Sequence, residues 1–144
     1  MKIVGDTDGA QARAQREAAV AAFLRDAQEL LRDENYEGAL DLYQAAASLE
    51  PARVELEGYV DLLRCRLVKI YRERIRDGSY VPELLVPPDR ITRFNLPADA
   101  GFVLSLIDGR TCFDQLISVS GMGPFEVLRI FVSLLDARII GVAA

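Results

Sequence analysis

Few side chains in this chain could carry out chemistry, and the amino acid most used for acid–base catalysis is missing. Histidine is absent from the 144 residues, which removes the commonest general base, the commonest metal ligand and the usual partner of a serine or cysteine nucleophile. Gly121-Met122-Gly123-Pro124 is too short for a phosphate-binding loop, and no lysine follows it. Glu34 and Glu37 lie beside a predicted turn, without the apolar pocket that would adapt a carboxylate to proton transfer. The sequence therefore predicts a protein without catalytic residues, cofactor or metal.

The two cysteines give no sign of a metal site. Cys65 and Cys112 are far apart in the chain and fit no spacing typical of metal ligands. We interpret both as small core residues, and we expect no disulfide in a reducing compartment.

Four cationic side chains recur at a spacing that would place them on one face of a helix. Arg66, Lys69, Arg72 and Arg76 fall within an arc of about 120°, opposite the apolar positions of the same segment. Such a stripe is either a solvated surface, a docking surface for an acidic partner or a weak RNA contact. Because no exposed aromatic residues are interleaved for base stacking, we favour an acidic protein partner.

Two further residues are candidates for partner contacts. Tyr36 lies near the predicted turn and could line a peptide groove, whereas Tyr43 is expected to pack within its helical hairpin. Arg110 follows Asp108 and Gly109, a sequence most simply interpreted as a turn before a helix. A recognition role for Arg110 is the alternative.

The periodicity of apolar residues predicts a mostly helical protein in four segments. Residues 1–12 lack a periodic pattern and are expected to form a flexible leader. Three helices are expected within residues 13–78, the second ending at Pro51 and the third running from about 52 to 76. Residues 79–96 contain three prolines and are predicted to be a linker. Residues 97–144 are predicted to form three short helices and a final strand.

The segment from Val20 to Pro51 resembles a tetratricopeptide repeat. Its second helix carries the small and aromatic residues of that family's signature, and Phe23 takes the place of the usual tryptophan; the matching residues are Ala27, Ala39, Tyr43, Ala46 and Pro51. No second repeat follows Pro51. Because a single repeat cannot bury its own face, the resemblance implies that the long third helix stacks on the hairpin.

The segment from about Val86 to Val142 resembles a small winged-helix-like module found in regulatory proteins of gliding and predatory bacteria. The matching motif runs from Leu96 through Asp108-Gly109-Arg110-Thr111 and continues at Ser120-Gly121-Met122 and Val127–Ile130. This resemblance implies a fold and a bacterial regulatory setting. It does not imply an activity, because fold does not determine function.

Composition limits the classes of protein that remain. Apolar residues make up 51% and charged residues 27%, so a packed core is expected. The net charge of -5 argues against nonspecific binding to nucleic acid. No apolar run approaches the ~18 residues of a membrane span, and no signal segment is evident, so we expect no membrane span and a cytoplasmic protein.

DNA binding by the winged-helix-like module is the main alternative. Its recognition helix would be residues 124–137, which contain one arginine, one glutamate and many apolar residues. A helix that contacts base edges and phosphates needs several polar or basic side chains. We therefore expect this helix to belong to the core, with a protein-docking face.

The sequence as a whole predicts a mostly α-helical, non-catalytic adaptor or regulator that binds another protein. The expected setting is bacterial signalling, motility or polarity, with a small GTPase or a response regulator as the partner class. The alternatives are a winged-helix transcription regulator and a protein that self-associates through exposed apolar faces.

Overall fold

The computed structural model describes residues 3–143, and they are mostly helical. The chain divides into two compact units, the first ending at Cys65 and the second beginning at Arg66. None of the described helices is both long and apolar enough to cross a membrane.

The first unit begins with a hairpin of two helices, α1 (Ile3–Arg32) and α2 (Tyr36–Leu49). The turn between them closes α1 by a Schellman motif, in which the Asn35 N–H donates to the Leu30 carbonyl and the Glu34 N–H to the Leu31 carbonyl. Glu34 adopts the left-handed conformation that this motif requires, with φ 60°. The Asn35 side chain also accepts the Gly38 N–H at 2.9 Å, so one residue ends α1 and caps α2.

Small residues hold the core of the first unit together. Alanines on α1 and α2 let the two helices approach closely, and the beginning of α3 (Val54–Ile75) adds larger side chains. The buried residues are Val20, Ala27, Ala39, Leu40, Tyr43, Ala46, Ala47, Leu56, Val60 and Leu63.

The second unit contains the end of α3, four further α-helices and a two-stranded sheet. Its elements are β1 (Val81–Leu84), α4 (Pro88–Ile91) with a 3-10 turn at Thr92–Phe94, α5 (Ala98–Leu106), α6 (Phe113–Val119), α7 (Pro124–Asp136) and β2 (Ile140–Ala143). Its core lies around Phe113 and Phe131, whose rings meet edge to face with centroids 5.0 Å apart. Both side chains are fully buried, as are Leu116, Leu128 and Ile139.

The strands β1 and β2 are antiparallel, and Pro82 faces Val142. Next to the strands, the Leu85 N–H donates to the Ile139 carbonyl at 2.9 Å. Because hydrogen-bonded and non-bonded pairs alternate along an antiparallel ladder, Pro82 and Val142 form a non-bonded pair. The missing N–H of Pro82 therefore costs the ladder nothing, since it would point away from β2.

Residues 79–96, predicted to be a linker, are part of the folded second unit. Residues 81–84 form β1, and Pro88 opens α4 instead of preventing a helix, because proline is tolerated in the first helical turn. The strand was not evident from the sequence, since its partner β2 lies more than fifty residues away in the chain.

The predicted boundaries also differ at two other places. Helix α1 begins at Ile3, so most of the expected leader is helical, and Met1 and Lys2 lie outside the described residues. No proline interrupts this segment, so the packed part of α1 can propagate into it. The boundary between the two units also differs from the prediction, since it lies within α3. The end of this helix belongs to the second unit, where the ring centroids of Tyr71 and Phe125 are 6.0 Å apart.

Candidate functional site

The second unit has a groove of about 330 Å³ between the start of α5 and one face of α7. Its floor is apolar and its rim carries two carboxylates, one guanidinium and one hydroxyl. The lining residues are Leu96, Pro97, Asp99, Ala100, Phe125, Glu126, Arg129, Ile130, Ser133 and Leu134.

The spacing of residues along α7 explains why it can serve both the core and the groove. Val127, Leu128 and Phe131 are completely buried and form the inner face. The exposed residues Glu126 and Ser133 lie seven positions apart, about two helical turns, and therefore share another face. This face lines the groove.

The start of α5 forms the opposite wall of the groove. Pro97 precedes the first helical residue, and the Asp99 carboxylate accepts the Ala100 N–H at 2.8 Å. A negative side chain in the first turn of a helix is favoured by the helix dipole. Glu126, the third residue of α7, also lies in a first helical turn, so acidic residues from two helix starts face one groove.

The lining of the groove combines apolar walls with a few charged groups at the rim. In such sites, apolar walls remove the apolar side chains of a bound partner from water, and a few charged groups at the rim fix the orientation of that partner. Among the described residues, no cluster of three potential metal ligands is present. The arrangement is typical of a recognition site for a peptide or a helix.

A second surface contains three of the six predicted partner-binding residues. Arg66, Lys69 and Arg72 are exposed on the outer side of α3. Arg72 lies 3.7 Å from the Asp114 carboxylate, and about half of each side chain is exposed. An ion pair this exposed contributes little to stability and can exchange partners at small cost.

Arg76 does not continue the helical stripe as predicted. The helix ends at Ile75, and Arg76 adopts a left-handed conformation with φ 66°. Its side chain lies beside Arg74, Tyr80 and Val142, around a concavity of about 240 Å³. Arg74, which the sequence did not indicate as a site residue, also forms an ion pair with Asp136 at the end of α7.

The other two predicted residues do not belong to either of these surfaces. Tyr36 is half-buried at the first position of α2, in the first unit. Arg110 is exposed in a turn of the second unit, where its backbone N–H donates to the Asp108 carboxylate at 2.8 Å. The contact shown for Arg110 is therefore made by its main chain and serves the turn.

The tyrosines of the first unit also belong to its packing. The rings of Tyr43 and Tyr59 lie 5.2 Å apart, and Tyr43 is buried. Burial raises the pKa of the Tyr43 phenol above its ordinary value, and the neighbouring Tyr59 raises it further. A phenol that stays protonated in this way is a packing group and not a base.

The sequence did not indicate the groove between α5 and α7. A signal was present, since Glu126, Arg129 and Ser133 interrupt the apolar run at helical spacing. This spacing does not indicate which other element lies opposite α7 across the groove.

Comparison of the chain with protein-family models, with curated proteins and with solved structures finds no match.

Proposed function

We propose that this protein is a non-catalytic adaptor that binds other proteins, and that the groove between α5 and α7 is one of its docking sites. The observation that carries the proposal is the composition of the groove, in which an apolar floor is bordered by Asp99, Glu126 and Arg129. Protein interfaces have this anatomy, with an apolar centre and a polar rim.

The exposed cations of α3 support a second contact with an acidic protein surface. Lys69 and Arg72 lie on one side of the helix, and exposed charges of this kind increase the rate of association with an oppositely charged partner. The proposed setting is bacterial signalling, motility or polarity, with a small GTPase or a response regulator as partner. This setting rests on the resemblance of residues 86–142 to a module of bacterial regulators.

DNA binding is less well supported than protein binding. Six of the thirteen residues of α7 are buried, and Arg129 is its one basic residue. A recognition helix needs several free polar side chains, and α7 has too few.

The test is affinity capture from a cell lysate with the wild type and a Ser133→Arg variant, followed by mass spectrometry. Ser133 is exposed and lines the groove, so arginine there would fill the groove without removing a core side chain. Gln115→Arg on the exposed side of α6 is the control, since it adds the same charge elsewhere in the same unit. We expect a protein that the wild type and the control retain and that Ser133→Arg loses.

A charge variant tests the second contact. Lys69→Glu with Arg66→Glu reverses two cations of α3 and is expected to weaken capture at low salt. If all variants retain the same proteins in the same amounts, neither surface is a docking site. Salt-dependent recovery of DNA in place of protein would favour the transcription regulator.

A further inference from the structure

A concavity of about 260 Å³ lies in the first unit, where the turn between α2 and α3 lies beside α1. Arg13 and Arg16 line it from α1, and because they are three positions apart they share one side of that helix. Leu49, Pro51 and Ala52 supply an apolar lining from the turn. The volume is smaller than the roughly 300–1,000 Å³ of a small-molecule site, so it suits a few side chains of a peptide.

The unopposed positive charge in this concavity comes from Arg13 and Arg16. The third arginine of the lining, Arg53, is already paired, since its Nε lies 2.9 Å from the Glu55 carboxylate and its Nη1 lies 3.3 Å from the Glu50 carboxylate. Arg13 and Arg16 are exposed, and in the described part of the chain neither forms an ion pair. Two guanidiniums are therefore available to an anionic ligand.

The charged and the apolar parts of the lining together select the class of ligand. A guanidinium binds a carboxylate through two parallel hydrogen bonds, but a single exposed ion pair contributes little. Binding therefore needs both arginines and, in addition, an apolar side chain that the turn residues remove from water. A phosphate backbone offers charge without such a side chain, whereas an acidic peptide offers both.

We propose that this concavity binds an acidic segment of a partner protein, whose carboxylates pair with Arg13 and Arg16 while an apolar side chain packs on the residues of the turn. Charge complementarity favours this partner, since the chain as a whole has a net charge of -5 and the free charges of this concavity are positive. The α5–α7 groove, whose rim has two carboxylates and one guanidinium, selects for a different charge. The proposal rests on the protein-binding function above and adds a site to it.

The test uses a fluorescent peptide in which one leucine is flanked by two glutamates on each side, and anisotropy measures its binding to the whole chain. A peptide with glutamine in place of every glutamate tests the role of charge. A peptide with serine in place of the leucine tests the apolar contact. We expect the glutamine peptide to bind at least about tenfold more weakly than the acidic leucine peptide, and the serine peptide about threefold more weakly or less tightly still.

Charge variants locate the site on α1. Arg13→Glu with Arg16→Glu is expected to weaken binding of the acidic leucine peptide by about tenfold or more. The matched control, Arg25→Glu with Arg32→Glu, reverses two other exposed charges of the same helix. It is expected to change binding by less than about twofold at physiological salt, because charges away from the site are screened.

A second pair of variants changes the shape of the concavity and leaves its charge as it is. Ala52→Gln adds a longer side chain to the apolar lining and is expected to weaken binding. Ala21→Gln, at an exposed position of α1, is the control and is expected to leave binding unchanged. Circular dichroism and a melting curve establish that each variant is folded.

The amide signals of the labelled protein give an independent measurement. On titration with the acidic leucine peptide, the backbone amides of Arg16 and Ala52 are expected to shift, and those of the α5–α7 groove are not. Equal binding of the glutamine peptide, equal effects of the two double variants, or no binding up to about 1 mM would each overturn the proposal. Lysate capture that still depends on Ser133 after such a result would leave the adaptor function intact.

Discussion

Asp108 organises the turn that joins α5 to α6. One carboxylate oxygen accepts the backbone N–H groups of Arg110 and Thr111, each at 2.8 Å, and the other accepts the Thr111 hydroxyl at 2.9 Å. Gly109, with φ 74°, allows the chain to bend around these contacts. The Arg110 N–H, followed by the Thr111 N–H and hydroxyl, holds the pKa of the Asp108 carboxyl below its ordinary value.

The lowered pKa makes the contribution of Asp108 to stability dependent on pH. The folded protein binds the proton less tightly than the unfolded chain, so the contribution is fully present above the ordinary pKa of 3.8 and is lost as the pH falls through the lower folded value. We expect Asp108→Ala to lower Tm by a few degrees at neutral pH. Melting curves at neutral pH and near pH 3 would check this, because the difference between variant and wild type should shrink in acid.

Whereas substitution of Asp108 is expected to lower stability, substitution of Glu34 by glycine is expected to raise it. It adopts a left-handed conformation at the end of α1, where glycine is favoured because it has no Cβ to clash. Glu34→Gly is expected to raise the free energy of unfolding by roughly 0.5–1 kcal/mol, measured by urea unfolding. Glu37→Gly in the first turn of α2 is the control, and it is expected to destabilise, since glycine is unfavourable in a regular helix.

At the scale of elements, α7 determines the packing of the second unit. Six of its residues are buried, and Phe131 is completely enclosed against Phe113. The same helix supplies one wall of the groove and, through Asp136, the partner of Arg74. A change in the core of α7 therefore affects both surfaces of this unit.

Phe131→Ala is expected to destabilise the protein by about 3–5 kcal/mol, because it leaves a cavity beside Phe113. Phe102→Ala on α5 removes the same side chain from a position that is 47% exposed and should cost less than about 1 kcal/mol. Urea unfolding of both variants measures the difference. Similar losses would mean that Phe131 is not enclosed as described.

Local patterns predicted most helices, and non-local contacts account for what was missed. Helices α2, α3 and α7 begin and end within a few residues of the predicted positions, because periodicity, glycine and proline define their ends. The strand β1 and the groove depend on pairing between distant segments, and no local pattern encodes such pairing. Arg74 was missed because its role depends on Asp136, at the end of another helix.

At the scale of the whole molecule, the net charge of -5 opposes association with other polyanions. The exposed cations of α3 are a local exception, and Arg72 is already close to Asp114. Positive charge confined to one area of an acidic protein favours a partner with a small acidic surface. An extended phosphate backbone would also contact the surrounding carboxylates, which repel it.

We therefore expect no measurable binding to a fluorescent DNA duplex at physiological salt and protein concentrations up to about 10 μM. Fluorescence anisotropy measures this directly, and a known DNA-binding protein serves as the positive control. Tight binding that weakens steeply with added salt would contradict the expectation and would favour DNA binding by α7.

The proline in β1 also limits how far copies of this protein could aggregate. A sheet with two open edges can recruit chain after chain and grow into a fibre. Here Pro82 has no N–H to offer at the outer edge of β1, and Ile140 in β2 is buried, so neither edge presents a complete row of accessible backbone groups. The two-stranded sheet therefore gives a second copy of the chain no complete template on which to add a strand.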